Sequence, residues 1–556
     1  MQNDGNAAFR PYVDALLDQL ENQSDRAVLR YLDHDVTGRI LRSAIFRYAR
    51  ALAALGIGQG SLVALLAPNC PDALAIRYAA NLLGSATMFV PASANAERRA
   101  ALLTRIQPTL LVAFPETLHH IPVAMEGHVV FAFVGVGPAS SRLDTLAQAQ
   151  SDQPLRRRLR PDDLAVVVSS GGTTGVPKCS RRSFATYSKM VGAANDQSRR
   201  QLINGPLAYL SQVLVDTTLI GGGTVVLKRR YDPAETLATI ESDRITDVLL
   251  VEPQLFETMD HPDVGRRDLS SLRSIAHIGG SAPAVLRQRA IARLGPVLTH
   301  MYGASETGLV SILPPSAYEA NPDLLACAGP IRPGVEVRLR RADGTLARAG
   351  QCGNIEVRSA AVADGYYHQP VEEAQKFQDG WCLTGDAGFI DEATDLHVLG
   401  RAADVAEIDG LAIGPTQIED ALCHLPDVRY AVALAANQSA GKYGWNALIE
   451  PWVAGQADVA QCMRRLEIAL GPLVARRIHI VVADRVPLTE QGKADRNAIE
   501  MILQGDSRSS HAPLRSVAIS SPTGGWAVAR MLPPMNPIRP HDTPIISFSS
   551  VSERVR

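Results

Sequence analysis

Short apolar runs alternate with stretches of helical periodicity from residue 40 to residue 251, and this alternation limits the fold more than any other feature. The runs cover 62–67, 87–91, 109–113, 129–134, 164–169, 223–227 and 248–251. Runs this short, bounded by Pro, Gly or Asn, suit strands covered on both faces. Between them Ile40, Ile45, Tyr48, Ala49 and Leu52 recur at helical spacing, with Gly56 and Gly58 as the stop, and 71–83 reads as a second helix. Strand, helix, strand in repetition predicts βαβ units and mainly parallel sheets under helices.

The texture changes after Pro330. Gly-punctuated short strands at 335–339, 354–358 and 396–399 predict a small β-rich module. After Arg401 come further strands at 428–435, 447–451 and 478–482 with their own helices, as expected of a small α+β domain. From about Gly505 the chain is rich in Ser, Pro and Arg without a period, and a flexible tail is expected. The predicted division of the 556 residues is a large unit 1–400, a small unit 401–505 and a tail 506–556.

Composition removes several function classes. Lys plus Arg is 55 and Asp plus Glu is 57, a net charge of −2, so there is no field to gather a polyanion and no nucleic-acid partner is expected. The run Arg156-Arg157-Arg158-Leu159-Arg160 reads as a solvated connector. The seven cysteines are scattered and form no C-x-x-C pair, which argues against a disulfide framework or a zinc site. The polar start Met1–Gly5 is no signal peptide, and the longest apolar run, 129–135, is too short for a membrane span, so a cytoplasmic location is expected.

Five segments carry chemistry. The first, Ser169-Ser170-Gly171-Gly172-Thr173-Thr174-Gly175-Val176-Pro177-Lys178, directly follows a predicted strand. Glycines let the backbone bend round an anion, hydroxyls and N–H groups line the nest, and Lys178 adds a charge. Pro177 and Cys179 flank the lysine, so this is no Walker loop. In Met301-Tyr302-Gly303-Ala304-Ser305-Glu306-Thr307-Gly308 the tyrosine could face a purine and the carboxylate could hold Mg²⁺. Asp386, between Gly385 and Gly388, could accept hydrogen bonds from a ribose diol. The fourth segment runs from Gly400-Arg401 to Gly410, Pro415, Ile418 and Glu419. The fifth, Pro487 to Arg496, puts Lys493 on an expected mobile loop.

In this order and spacing the five resemble the motifs of the adenylate-forming superfamily, which includes acyl-CoA synthetases, peptide-synthetase adenylation domains and firefly-type luciferases. The resemblance runs from about Thr37 to Ile499 and takes in Gly279-Gly280-Ser281-Ala282-Pro283 and Gly365-Tyr366-Tyr367. It implies ATP-dependent joining of a carboxylic acid to AMP with release of pyrophosphate, then transfer to a thiol. By resemblance, Ser170, Thr173, Thr174 and Lys178 cradle the β- and γ-phosphates and Tyr302 flanks the adenine, while Gly172, Gly175, Gly280 and Gly303 belong to the same nucleotide-binding set. Ser305 touches phosphate, Glu306 binds Mg²⁺, and Asp386 holds the ribose hydroxyls with Arg401 nearby. Lys493 bridges the carboxylate and the α-phosphate, and with Glu306 and Lys178 makes up the expected catalytic set. The small unit would close over the adenylate and then rotate.

The sequence also departs from the family pattern. Ala403 stands at the hinge position that is usually Asp or Lys, and Ala406-Glu407 replaces Ile-Lys in the motif facing the second half-reaction. Gly171 replaces a serine, Cys179 a glycine, Ser305 a threonine, and Tyr209 a frequent histidine near the acyl channel. The acid pocket is expected along 209–216, 278–281 and 301–303. Counting back from Gly221–Gly223 puts no carboxylate where amino-acid-activating relatives have one, so a fatty or aryl acid is favoured. Asp216 keeps an amino acid open. CoA is the expected thiol. The alternatives are the phosphopantetheine arm of a carrier protein, motivated by Ala403 and Glu407, and a degenerate nucleotide-binding protein without turnover.

Overall fold

The strands predicted from apolar runs assemble into two large sheets. A computed structural model describes residues 9–91, 96–122, 129–169, 177–192, 194–279, 283–436, 444–489 and 493–506. One sheet has eight strands in the order Gly308–Leu313, Leu298–Ala304, Ser274–Ile278, Asp247–Leu250, Arg200–Ile203, Thr224–Leu227, Ala27–Tyr31, His34–Thr37. Its inner pairs are parallel, and only the two edge strands run antiparallel. The other has six strands, Val130–Phe133, Leu110–Ala113, Leu62–Leu66, Ala86–Phe89, Leu164–Ser169 and Cys179–Ser183, again antiparallel only at the last pair.

The main core contains the helices Tyr12–Asn22, Gly38–Ala54 and Pro71–Leu82. Pro71–Leu82 is buried at every residue except Asp72. Its apolar residues lie all round the axis, which suits only a central helix. Pro71 opens it at a position whose missing N–H costs nothing. Burying the whole helix also takes Arg77 and Asn81 out of water, so both need partners within the protein.

The β-rich module is a five-stranded antiparallel sheet in which Trp381–Ile390 pairs with Gly353–Ser359, Phe377–Gln378 and Leu396–Arg401. Beyond it come the hairpin Ala406–Ile408 and Leu411–Ile413 and a three-stranded sheet, Val428–Ala435, Trp445–Pro451 and Ile478–Val482. This last sheet shares one apolar cluster with the helices Glu252–Met259 and Ala284–Leu294. Phe256 and Tyr430 meet at 4.9 Å between ring centroids, and Asp260 accepts from both Arg289 at 3.1 Å and Arg429 at 3.4 Å. The segment that follows Arg401 is thus seated on the earlier helices. Among the described residues no helix is long and apolar enough to cross a membrane.

Candidate active site

Parallel strands deliver their loops to a common edge, where ligands of such sheets bind. Ser274–Ile278 and Leu298–Ala304 are neighbours with Ile278 opposite Met301, so Gly279 and Tyr302 emerge side by side. The antiparallel module adds Asp386, which lies opposite Arg401 in the register of its sheet. Asp386 sits within the long strand Trp381–Ile390. The Tyr302 hydroxyl donates to Asp386 Oδ2 at 2.7 Å, and Arg401 Nη1 is 3.1 Å from Oδ1. Burial, reinforced by the Asp386 charge, pushes the Tyr302 phenol well above its usual range, so the proton stays on the hydroxyl. Gly303 has no room for a side chain, since a Cβ there would meet Gly308 O at 2.2 Å.

Glu306 is a buried carboxylate kept charged. Burial, the largest influence, would raise its pKa. The Lys376 charge and hydrogen bonds from Ser305 Oγ at 2.7 Å and Tyr366 Oη at 2.8 Å outweigh it, and the carboxyl is held below its ordinary range. Among the described residues no three His, Cys, Asp or Glu side chains gather to hold a metal ion. A single ionised carboxylate does fit Mg²⁺, which is commonly bound by one or two carboxylates together with substrate phosphates and water.

Lys493 arrives from the other end of the chain. A Cβ on Gly279 would lie 2.6 Å from Lys493 Cε and 2.9 Å from Nζ, so the ammonium rests against the bare glycine backbone. Burial first, and then the Arg401 charge, lower the Lys493 pKa, while Glu306 and Asp386 act the other way. The expected mobile loop is closed at its base, where Thr489 N donates to Lys493 O at 2.7 Å and Lys493 N to Thr489 Oγ1 at 3.2 Å. Three residues on, the Arg496 guanidinium pairs with Asp404, next to Ala403.

The structure thus brings Gly279, Tyr302, Ser305, Glu306, Asp386, Arg401 and Lys493 to one place. Lys178 lies 5.8 Å from the centroid of the Tyr366 ring. Ser170, Gly172, Thr173, Thr174, Gly175 and Gly280 fall outside the described residues, as does the side chain of Tyr209. Ser305, expected on a phosphate, gives its hydroxyl to Glu306.

One expectation is overturned. Asp216, the carboxylate that kept an amino-acid substrate open, is fully buried and takes Arg77 in a two-pronged ion pair, 2.8 Å on each oxygen. Tyr78 and Tyr187 donate to the same carboxylate at 2.5 and 2.6 Å. Its charge is spent inside the core, and none is left for a substrate ammonium.

Three contributors escaped sequence reading. Tyr366 and Lys376 act on Glu306, and only the tyrosine had a signal, the Gly365-Tyr366-Tyr367 motif. Asn69 gives its amide protons to Gly205 O at 2.9 Å and Lys228 O at 3.0 Å and accepts from Leu207 N at 3.2 Å. It pins the start of the π-helical turn Leu207–Ser211, a geometry often found at functional sites. Beneath the site His277 and His300 face each other on adjacent strands with their Nδ1 atoms 3.0 Å apart. Burial drives His277 down to about 3, so both imidazoles are neutral at pH 7.

A family model described as AMP-binding enzyme matches residues 16–367. A medium/long-chain-fatty-acid–CoA ligase of Mycobacterium tuberculosis is 28% identical over 87% of this chain and 88% of its own length. An indoleacetate–CoA ligase of Aromatoleum aromaticum is 28% identical over 86% of this chain and 95% of its own. Among solved structures, the amide bond synthetase McbA of Marinactinospora thermotolerans superposes with a TM-score of 0.79 at 28% identity, covering 88% of this chain and 99% of that one. The matched residues take in the tyrosine, glutamate and glycines gathered at the sheet edge, and the chain belongs to the AMP-binding enzyme family, the adenylate-forming type of ligase.

Proposed function

We propose that the chain activates a fatty or aryl carboxylic acid with ATP, forming an acyl-adenylate and pyrophosphate, and passes the acyl group to the thiol of CoA. The observation that carries this reading is Lys493, held against Gly279 within the field of Glu306 and Asp386. A cation in that position can lie between an incoming carboxylate and the α-phosphate. The substrate carboxylate attacks the α-phosphorus, the bond to the bridging oxygen breaks, and pyrophosphate leaves, so no protein base is needed. Catalysis is positioning and charge neutralisation.

Tyr302 flanks the adenine, Asp386 and Arg401 hold the ribose hydroxyls, and Ser170, Thr173, Thr174 and Lys178 face the β- and γ-phosphates. Glu306 would hold Mg²⁺, whose chemistry is to neutralise phosphate charge. A division near residue 400, with 401–505 as a closing unit, fits Lys493 arriving from the later part of the chain; the expected tail 506–556 falls outside the described residues from 507 on. The consumed charge of Asp216 and the acids of the relatives both favour a substrate without an ammonium group.

Acid-dependent pyrophosphate exchange over a panel of fatty, aryl and amino acids tests the first step. Exchange with an aryl or fatty acid is expected, and Lys493→Ala should lower it about 10²- to 10³-fold, the usual effect of removing one transition-state contact. Silence across the whole panel would remove the reading.

A second acceptor is favoured by two observations together. Ala403 and Ala406-Glu407 alter the segment expected to face the thiol, and the amide bond synthetase McbA matches the chain over nearly all its length. On this reading the acyl-adenylate goes to an amine. Supplying CoA, a phosphopantetheinylated carrier or a primary amine to the preformed adenylate separates the outcomes, because the acyl product identifies the acceptor.

A further inference from the structure

We infer that Tyr366 is a positioning residue that holds Glu306 and Lys178 in a fixed relation, so that a metal ion and the phosphates are met by one rigid unit. Tyr366 is 2% exposed and makes two separate contacts with the site. Its hydroxyl donates to Glu306 Oε1 at 2.8 Å, and its ring lies under the Lys178 ammonium, 5.8 Å from Nζ to the centroid. A carboxylate that accepts from Tyr366 on one oxygen and from Ser305 on the other cannot swing freely. A cation over an aromatic face is attracted to it as well.

The backbone makes the same connection. Arg181 N donates to Gly365 O at 2.9 Å, Asp364 N to Arg181 O at 2.9 Å, and Tyr367 N to Cys179 O at 2.7 Å, so 364–367 lies along the strand that begins just after Lys178. One residue earlier, Ala363 N donates to Glu306 O at 2.7 Å. The segment therefore straps the Glu306 loop to the Lys178 strand. The strap is itself held, since Tyr366 N donates to Glu373 Oε2 at 2.7 Å and Phe377 meets the Tyr366 ring edge-on at 5.4 Å. Gly365 leaves the space that the Glu373 carboxylate fills, because a Cβ there would lie 2.2 Å from Oε2.

This inference rests on the proposed phosphate and metal roles of Lys178 and Glu306, and the test separates the two levels. Tyr366→Phe keeps the ring under Lys178 and removes the bond to Glu306, whereas Tyr366→Leu removes both. Mn²⁺ binding to the enzyme–ATP complex is followed by electron paramagnetic resonance, and ATP binding without a divalent ion by calorimetry. Tyr366→Phe should weaken Mn²⁺ binding about tenfold or more, the usual weight of a hydrogen bond to a charged group, with metal-free ATP binding unchanged. Tyr366→Leu should in addition weaken metal-free ATP binding about three- to tenfold. In turnover, Tyr366→Phe should raise the Mg²⁺ concentration needed for half-maximal rate and leave KM for the acid unchanged.

Wild-type protein that binds no Mn²⁺ with ATP would sink the underlying metal assignment. Wild-type protein that binds it equally well as Tyr366→Phe would sink the positioning role alone. Two variants that lose both kinds of binding to the same degree, with a lowered Tm, would reduce Tyr366 to a packing residue.

Discussion

Asp216 shows how a single buried charge decides between readings. Its carboxylate pairs with the Arg77 guanidinium at zero exposure and accepts from the Tyr78 and Tyr187 hydroxyls. Removing one member of a buried pair costs about 3–5 kcal/mol, because the other is left charged and unpaired. Asp216→Ala should therefore lower Tm sharply without changing the choice of acid, and the double change Asp216→Leu with Arg77→Met should recover much of the loss. Thermal unfolding beside an acid panel checks both. Gly279 is the opposite case, a residue whose lack of a side chain serves chemistry. With φ at +92° and Lys493 where a Cβ would be, Gly279→Ala should displace the lysine. Adenylation should fall by tenfold or more, while the strain, about 1–2 kcal/mol, leaves the protein folded. Pyrophosphate exchange and circular dichroism would separate the two effects.

At the scale of elements, Asn69 ties the turn that starts the π-helical Leu207–Ser211 to the loop after Leu62–Leu66. The π-helical residues run on into 209–216, a segment expected to line the acid pocket. Asn69→Ala should raise KM for the acid more than KM for ATP, and steady-state kinetics with each substrate varied would show it. The inner strands that could be read from sequence are those covered on both faces and apolar throughout, as in Leu62–Leu66, where all five residues are buried. Ala27–Tyr31, Arg200–Ile203 and Ser274–Ile278 carry Arg30, Arg200 with Gln201, and Ser274 with His277, and do not read as apolar runs. Two of the antiparallel edges could not be read either. Cys179–Ser183 carries Arg181 and Arg182, and His34–Thr37 is half exposed, so neither reads as an apolar run. Motif order located Tyr302, Glu306, Asp386, Arg401 and Lys493. Partners such as Tyr366, Lys376 and Asn69 act through contacts that bridge distant parts of the chain, and local patterns do not carry that information.

For the molecule as a whole, the packing of the segment after Arg401 onto Glu252–Met259 and Ala284–Leu294 has a thermodynamic consequence. One apolar cluster spans both, braced by Asp260 between Arg289 and Arg429. Unfolding by calorimetry should therefore appear as one main transition, and Phe256→Asp, which puts a charge into that cluster, should split it into two. Two well-separated transitions in the wild-type chain would contradict the shared core.

The paired imidazoles beneath the site set a lower limit to the pH the protein can bear. Below the ordinary histidine pKa of 6.5 the unfolded chain takes up protons, whereas buried His277 does not until about pH 3. Stability is then full above pH 6.5 and is lost on acidification at up to about 1.4 kcal/mol per pH unit for each buried imidazole. His277→Phe, measured by urea unfolding between pH 7 and pH 5, should flatten that slope. A carboxylic acid substrate with a pKa of about 4.3 is still mostly ionised at pH 5. Acid inactivation would thus begin in the scaffold, while the carboxylic acid is still ionised and able to attack.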